Sequence, residues 1–540
     1  MNLAEKVAQM VVVRSSGLLF DDQILYPDWE PPNSKLQYWV QDLGIGGVIF
    51  VGGSAVDLAT RIQQLQSWAK IPLLFAADIE EGVGQRFAGA TWFPPPMAIA
   101  AIAQTNLKKA QGYAETMGAI TAQEAVAIGL NWILAPVVDV NNNPDNPVIN
   151  IRAFGETTEL VGQLARAFIR GAQQYPVLTT AKHFPGHGDT AVDSHFDLPV
   201  IPHSESRLAE VELPPFVEAI AAGVDSVMSA HLLIPTWDKE LPATLSQKII
   251  TGKLRQKFGF EGLVVTDALV MGAIANRYGL AEASVLAVEA GTDILLMPLD
   301  PEVTINAVCD AVTQGRISES RIDESLQRIW QAKTKVYPTW QPGNEKIPDY
   351  FSVPTYNLVE KLAQSQAQET VAQILQDSIQ VGGGYLAPNA DNQDLRNLVF
   401  VQDILNSSFL GNHTPAITIP KKFGYQPQLI ENNSEAIQGL TPHRLTLLQL
   451  FIRGNPFGKI ASLTQASEDL IKRLLRSGKL QGLIIYGSQY TLKQFSPKLL
   501  SEIPYIFCYG QMPKAQAIAL ELFFKDLEVS LLTKISQNFT

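Results

Sequence analysis

Short apolar runs recur along the first 335 or so residues, and each is followed by a loop and then a stretch of helical periodicity. The runs are MVVVR (10–14), GGVIFV (46–51), PLLFAAD (72–78), NWILAPVVD (131–139), VLTTAKH (177–183), DSVMSAH (225–231), GLVVTD (262–267) and TDILLMP (292–298). Their length and β-branched content predict strands, and their lack of alternation predicts burial on both faces, as in a parallel sheet. Between them, DLATRIQQLQSWA, ELVGQLARAFIRGAQ, PPFVEAIAAG, KIITGKLRQKFG, EASVLAVEAG and ESLQRIWQAKTKV carry the helical spacing. Eight strands alternating with helices predict a closed (β/α)₈ barrel of the TIM type over residues 1–336, with an open doubly wound sheet as the alternative.

After Val336 the texture changes. Residues 337–357 are rich in proline, aromatic and polar residues and read as a linker. Beyond it, VAQILQDSIQVGGGYL, RNLVFVQDIL, GKIASLTQ, GLIIYGSQ and IPYIFCYGQ look like strands, and EDLIKRLLRSG looks like a helix. They predict a smaller α/β sandwich domain over 358–540. It shows no cluster of His, Asp and Glu at strand ends, so no role for it is legible.

Composition narrows the classes. At 540 residues, two or three domains are expected, and 46% hydrophobic against 17% charged residues describes an ordered chain. A net charge of -12 argues against a nucleic-acid partner, which needs a basic footprint. The only cysteines, Cys309 and Cys508, exclude a disulfide framework and a thiolate metal cluster. The N-terminal apolar run stops at Arg14, too short for a signal sequence, and no segment reaches the length of a membrane span, so a cytoplasmic location is expected.

The predicted strand ends carry Asp78, Asp139, Lys182 with His183, His231 and Asp267. In such a barrel, chemistry sits at the C-terminal ends of strands. A helix N-cap is an equal reading for Asp139, but a poorer one for Asp267, which apolar residues follow. Three of seven histidines crowd into KHFPGHGDTAVDSH (182–195). His183 and His187 have the helical spacing of a metal site, but Pro185, Gly186 and Gly188 break a helix there. A loop metal site stays open as the lesser alternative. Asp193 and His195, two apart, share a face if the segment is extended, and a carboxylate so placed makes a histidine a better proton carrier. The same glycines let the loop act as a lid. The glycines of GGVIFVGGS (46–54) lack the spacing of a nucleotide fingerprint.

Taken together, KHFPGHGDTAVDSH, VMSAH (227–231) and VVTDALVMGAI (264–274) resemble glycoside hydrolase family 3, and within it the β-N-acetylglucosaminidase branch. The resemblance covers about residues 1–335. It implies a retaining exo-acting β-N-acetylglucosaminidase with a carbohydrate substrate drawn from peptidoglycan fragments and with no cofactor or metal. It implies Asp267 as nucleophile, His195 as general acid/base and Asp193 as its partner. It places Lys182, His183, Asp78, Arg152 and Arg86 against the sugar, with His231 as a pocket neighbour. The segment DIEEGVGQRF departs from the family pattern, with Glu81 where glycine is usual and Gly84 where valine is usual. A family 3 glycosidase or phosphorylase of other specificity, a metal-dependent barrel hydrolase and an inactive sugar-binding protein are the competing readings.

Overall fold

The computed structural model describes residues 1–194, 196–343, 357–383, 394–405, 407–431, 444–453, 460–495, 497–501 and 503–537. His195 and part of the expected linker lie outside them. The chain divides into two compact units, one of Met1–Pro96 with Asn106–Gln368 and one of Met97–Thr105 with Glu369–Thr540.

In the first unit the eight apolar runs are eight parallel strands: β1 (Val11–Ser15), β2 (Gly47–Phe50), β3 (Leu74–Ala77), β4 (Trp132–Ile133), β5 (Leu178–Phe184), β6 (Ser226–Ser229), β7 (Leu263–Thr266) and β8 (Leu295–Leu296). They pair in chain order and β8 returns to β1, so the sheet closes into a (β/α)₈ barrel. A bridge from Val265 to Ile294 completes the ring between β7 and β8.

Register shows which side chains enter the lumen. The Trp132 indole donates to Thr180 Oγ1 at 2.9 Å and Ser226 Oγ at 3.1 Å, and a bond that skips a strand crosses the lumen. Paired residues of neighbouring strands share a face, and residues two apart in a strand share it too. From Thr180 the face runs through Leu178 and its partner Trp132 to Ala76, Ile49 and Arg14. In the other direction it runs from Lys182 through Met228 to Val265. Asp78 and Asp267 lie two residues beyond Ala76 and Val265, so Arg14, Asp78, Lys182 and Asp267 share the lumen side at the strands' C-terminal ends.

The helices form where expected, each with its apolar stripe inward. The helix Ala55–Trp68 is capped by Ser54 and Glu319–Val336 by Ser318, whose hydroxyls accept first-turn amides. The sequence reading did not single out the long helix Leu107–Ala127, whose buried face includes Ala110, Ala114, Gly118, Ala122 and Ala125. Small residues give weak amphipathic contrast, but they allow close approach to the helix Thr158–Ala172. A Cβ on Gly118 would lie 2.1 Å from the Phe168 carbonyl oxygen, and one on Gly171 would lie 1.9 Å from that of Glu115.

The second unit contains one six-stranded sheet, with β9 (Gln380–Gly382), β10 (Leu395–Val401), β11 (Gln426–Glu431), β12 (Leu445–Ile452), β13 (Leu480–Gly487) and β14 (Tyr505–Cys508) in the order β9-β14-β13-β12-β10-β11. Only the β9 edge is antiparallel. Two expectations change here, and one strand is added. VAQILQDS belongs to the helix Ser365–Ser378, and only three residues of that run pair as a strand. From Ile460 the run GKIASLTQ is the start of the helix Ile460–Arg476. The run LTLLQLFI, which the sequence reading passed over, is the interior strand β12. From Met97 on, the apolar helix Pro96–Ala103, buried along nearly its whole length, belongs to this unit although its sequence lies within the barrel half. Among the described residues no helix is long and apolar enough to cross a membrane.

Candidate active site

The mouth of the barrel is organised by a chain of charges. Lys182, buried at the end of β5, places its Nζ 2.7 Å from Asp78 Oδ1 and 2.6 Å from Glu80 Oε1, both in the loop after β3. Glu80 accepts two further bonds from Arg152, at 2.8 Å from Nε and 2.7 Å from Nη2. A third Arg152 N–H donates to the Val148 carbonyl at 3.0 Å. Arg86 Nε donates to the Asp78 carbonyl at 3.2 Å. Burial alone would raise the Glu80 carboxyl, but Arg152 and Lys182 outweigh it and hold it well below the usual range. For Lys182, burial pushes toward the neutral amine, and Asp78 and Glu80 reverse this and raise its pKa. Asp78 is the accessible end of the chain, with 35% of its side chain exposed. It can accept hydrogen bonds from a hydroxylated ligand while Lys182 fixes its orientation. Arg152 faces Glu80 rather than open space, which makes it a support for the cluster.

Glu80 was not singled out from the sequence. Its signal was available: it lies two residues after Asp78 in DIEEG, immediately past a strand. Glu81 is fully buried and accepts the Trp92 indole N–H at 3.0 Å. At Gly84 a Cβ would lie 2.4 Å from the Ala90 carbonyl oxygen, so the local fold excludes a side chain there. These contacts account for both departures from the family pattern.

A second cluster adjoins the first. Lys182 pairs with Met228 and Phe184 with Ser229, leaving His183 as an extra residue in β5. Bulges re-aim side chains, which is how two successive residues both serve one strand end. His183 Nδ1 lies 2.8 Å from Asp139 Oδ2, and the His183 and His187 amides donate to the same carboxylate. Asp139 therefore caps no helix. It is fully buried, which alone would raise its pKa, but His183 and the His187 amide hold it below the usual carboxylate value. An Nδ1–H donated to Asp139 leaves Nε2 of His183 as an acceptor.

His187 is buried and both its ring nitrogens are engaged, Nδ1 with Thr190 Oγ1 at 2.9 Å and Nε2 with Ser194 Oγ at 3.1 Å. With Nδ1 of His183 on Asp139 and that of His187 on Thr190, the two rings do not converge on a shared position. The glycines of this segment lie in close contact with neighbouring chain. A Cβ on Gly188 would lie 1.8 Å from the Val140 carbonyl oxygen, and one on Gly186 would lie 2.8 Å from Glu212 Cβ. Asn146 completes the packing by donating to the carbonyls of His187 and Gly188 at 2.8 and 2.9 Å.

Burial drives the His187 imidazole down to about 4. In the unfolded chain it binds a proton near pH 6.5. Its contribution to stability is therefore complete above pH 6.5 and is lost as pH falls toward 4, where the unfolded state takes up the proton first. The expected loss by pH 5 is about 2 kcal/mol. Urea unfolding at pH 7 and pH 5 checks this: His187→Gln is expected to show a correspondingly smaller pH difference, and an unchanged difference would refute the assignment.

Asp267 follows β7 and is half-buried. Its amide donates to the Ser229 carbonyl at 3.1 Å, and its Oδ1 accepts the Ala268 amide at 2.7 Å, which fixes its rotamer. His231 is fully buried and lies behind it: Nε2 is 3.0 Å from the Ala268 carbonyl and Nδ1 is 2.9 Å from Thr244 Oγ1. It steadies the turn after Asp267 and shows no face to a ligand. Asp193 and Ser194 are tied back to the second cluster through the His187–Ser194 contact. The Asp193 carbonyl accepts the amides of Phe196 and Asp197 at 3.1 and 3.2 Å. The structure thus joins Asp78, Arg86, Arg152 and Lys182 by direct bonds and sets His183 beside them. Asp267 lies on the same lumen face.

Comparison with known proteins follows the same outline. The family model described as Glycosyl hydrolase family 3 N terminal domain matches residues 2–332, and that described as Bacterial Glycosyl hydrolase family 3 C-terminal domain matches residues 389–525. The structure of a glycoside hydrolase family 3 β-N-acetylglucosaminidase from Paenibacillus sp. str. FPU-7 aligns with a TM-score of 0.77 and 31% identity, covering 97% of each chain. Beta-hexosaminidase A of Pseudoalteromonas piscicida is 34% identical over 337 residues, 57% of this chain and 56% of that protein. The β-N-acetylglucosaminidase/β-glucosidase of Cellulomonas fimi is 30% identical over 311 residues, 56% of this chain and 54% of that protein. The chain spans little more than half the length of these two curated relatives.

Proposed function

The chain belongs to glycosyl hydrolase family 3, and from that premise we propose that it is a retaining exo-β-N-acetylglucosaminidase acting on terminal N-acetyl-β-glucosamine, with peptidoglycan fragments as the source. The observation that carries the reading is the convergence of Asp78, Lys182 and Asp267 on one lumen face of the barrel mouth. The 31% identical β-N-acetylglucosaminidase, aligned over nearly the whole chain, supports the choice of sugar.

Cleavage of a glycosidic bond needs a proton on the leaving oxygen and stabilisation of an oxocarbenium-like carbon. Asp267, on a rigid strand end, attacks the anomeric carbon to give a glycosyl-enzyme. His195, assisted by Asp193, gives its proton to the leaving oxygen and takes one from water in the second step. A histidine titrates near neutrality, so it serves both steps without the raised carboxyl of the usual two-acid arrangement. Asp78 accepts from hydroxyls of the terminal sugar, with Lys182 and Arg86 fixing it. His183 presents Nε2 to the same sugar. Arg152 acts through Glu80, and His231 acts through the Asp267 turn.

Comparing leaving groups tests the acid. His195→Ala is expected to lose about 10²- to 10⁴-fold in kcat/KM on oligosaccharides, whose alkoxide leaves poorly without a proton. It should lose far less on an activated aryl glycoside. An equal loss on both substrates would remove His195 as the acid.

A further inference from the structure

Arg14 is the penultimate residue of β1, and register places it in the lumen at the mouth. The mechanism above gives it no task. Its Nε and Nη2 both donate to Glu30 Oε1, at 3.1 and 2.8 Å, and both side chains are under a tenth exposed. Its guanidinium lies 4.9 Å from the ring centre of Tyr26 and 5.2 Å from that of Trp29. Those rings are 6.1 Å apart and inclined by 20°. Tyr26 is nonetheless 46% exposed and Trp29 41% exposed. A buried ion pair and two cation–π contacts therefore hold two aromatic rings at the barrel mouth with much of their surface facing water.

Large aromatic rings held rigid and exposed mark a binding surface. Its shape argues for a saccharide. Two rings match the apolar C–H faces of one or two pyranoses. Position argues the same way. A saccharide whose terminal sugar sits among Asp78, Lys182 and Asp267 has its remaining rings in the mouth. The β1 loop lies four strands from β5 in either direction, across the mouth from the loop that carries Asp193.

We propose that Tyr26 and Trp29, held by the Arg14–Glu30 pair, form a stacking platform for the leaving-group sugars of an oligosaccharide substrate. This rests on the exo-glycosidase reading above. The platform binds chain length rather than the terminal sugar, so its removal raises KM for long substrates and leaves the chemical step alone.

The test compares a tetrasaccharide of β-linked N-acetylglucosamine with N-acetyl-β-glucosaminyl fluoride, whose leaving group has no ring. Trp29→Ala is expected to lower kcat/KM on the tetrasaccharide about tenfold, through KM, and to leave the fluoride within about twofold. Trp29→Phe should recover most of the loss. Calorimetric titration of the tetrasaccharide into Asp267→Asn, with and without Trp29→Ala, reads the platform without turnover and should show the same tenfold weakening. Equal losses on both substrates, an unchanged KM, or unchanged tetrasaccharide binding would overturn the proposal. A wild-type enzyme that cleaves neither substrate would sink the exo-glycosidase reading, and the titration would still decide whether the rings bind sugar.

Discussion

Glu80→Gln is expected to destabilise the barrel by about 3–5 kcal/mol, although Glu80 has no part in bond cleavage. The reason lies in the charge count at the mouth. Lys182 is a buried cation and Arg152 a largely buried one, and Glu80 touches both. Removing its charge leaves Arg152 with neutral acceptors in place of its ion-pair partner and Lys182 with Asp78 as its remaining carboxylate. Breaking a buried pair from one side is far more damaging than replacing the whole set, because the orphaned charge stays desolvated. The double change Glu80→Gln with Arg152→Met should therefore cost less than the sum of the two single changes. Activity should fall as well, since Lys182 then pulls Asp78 without a counterweight. Urea unfolding of the three variants checks this: a Glu80→Gln loss below about 1 kcal/mol, or strict additivity, would mean that the cluster is well solvated.

How much of this was legible beforehand depends on the kind of signal. The eight barrel strands were visible because a parallel strand buried on both faces must be apolar at every position. Asp78, Lys182, His183, His231 and Asp267 were visible because they interrupt such runs at one end. Glu80 and Asn146 were not, since a loop residue one or two positions past a strand carries no periodicity, and its partner lies tens of residues away. Arg152 was legible as a residue, but its pairing with Glu80 across 72 positions was not. In the second unit, GKIASLTQ misled because its apolar residues at the start of an amphipathic helix look locally like a strand. Gly186 and Gly188 suggest freedom to move in the sequence, and only the structure adds that both sites are too tightly packed for a side chain. The Asp193–His195 pairing came from sequence spacing; Asp193 is anchored through its neighbour Ser194, and His195 lies outside the described residues.

Bond cleavage in the proposed mechanism centres on Asp267, and Asp267→Asn tests that role most directly. Asparagine preserves the acceptor for the Ala268 amide and nearly the same shape, but it cannot attack the anomeric carbon as an oxyanion. On an activated aryl N-acetyl-β-glucosaminide, where leaving-group protonation matters least, kcat is expected to fall by about 10⁴-fold or more, on the order of 5.5 kcal/mol of transition-state stabilisation. Affinity for N-acetylglucosamine, read by calorimetry, should stay within a few-fold of wild type, because Asp78, Lys182 and His183 are untouched. A variant that keeps a tenth or more of wild-type turnover would contradict the assignment of Asp267 as nucleophile, and with it the retaining mechanism proposed for this chain.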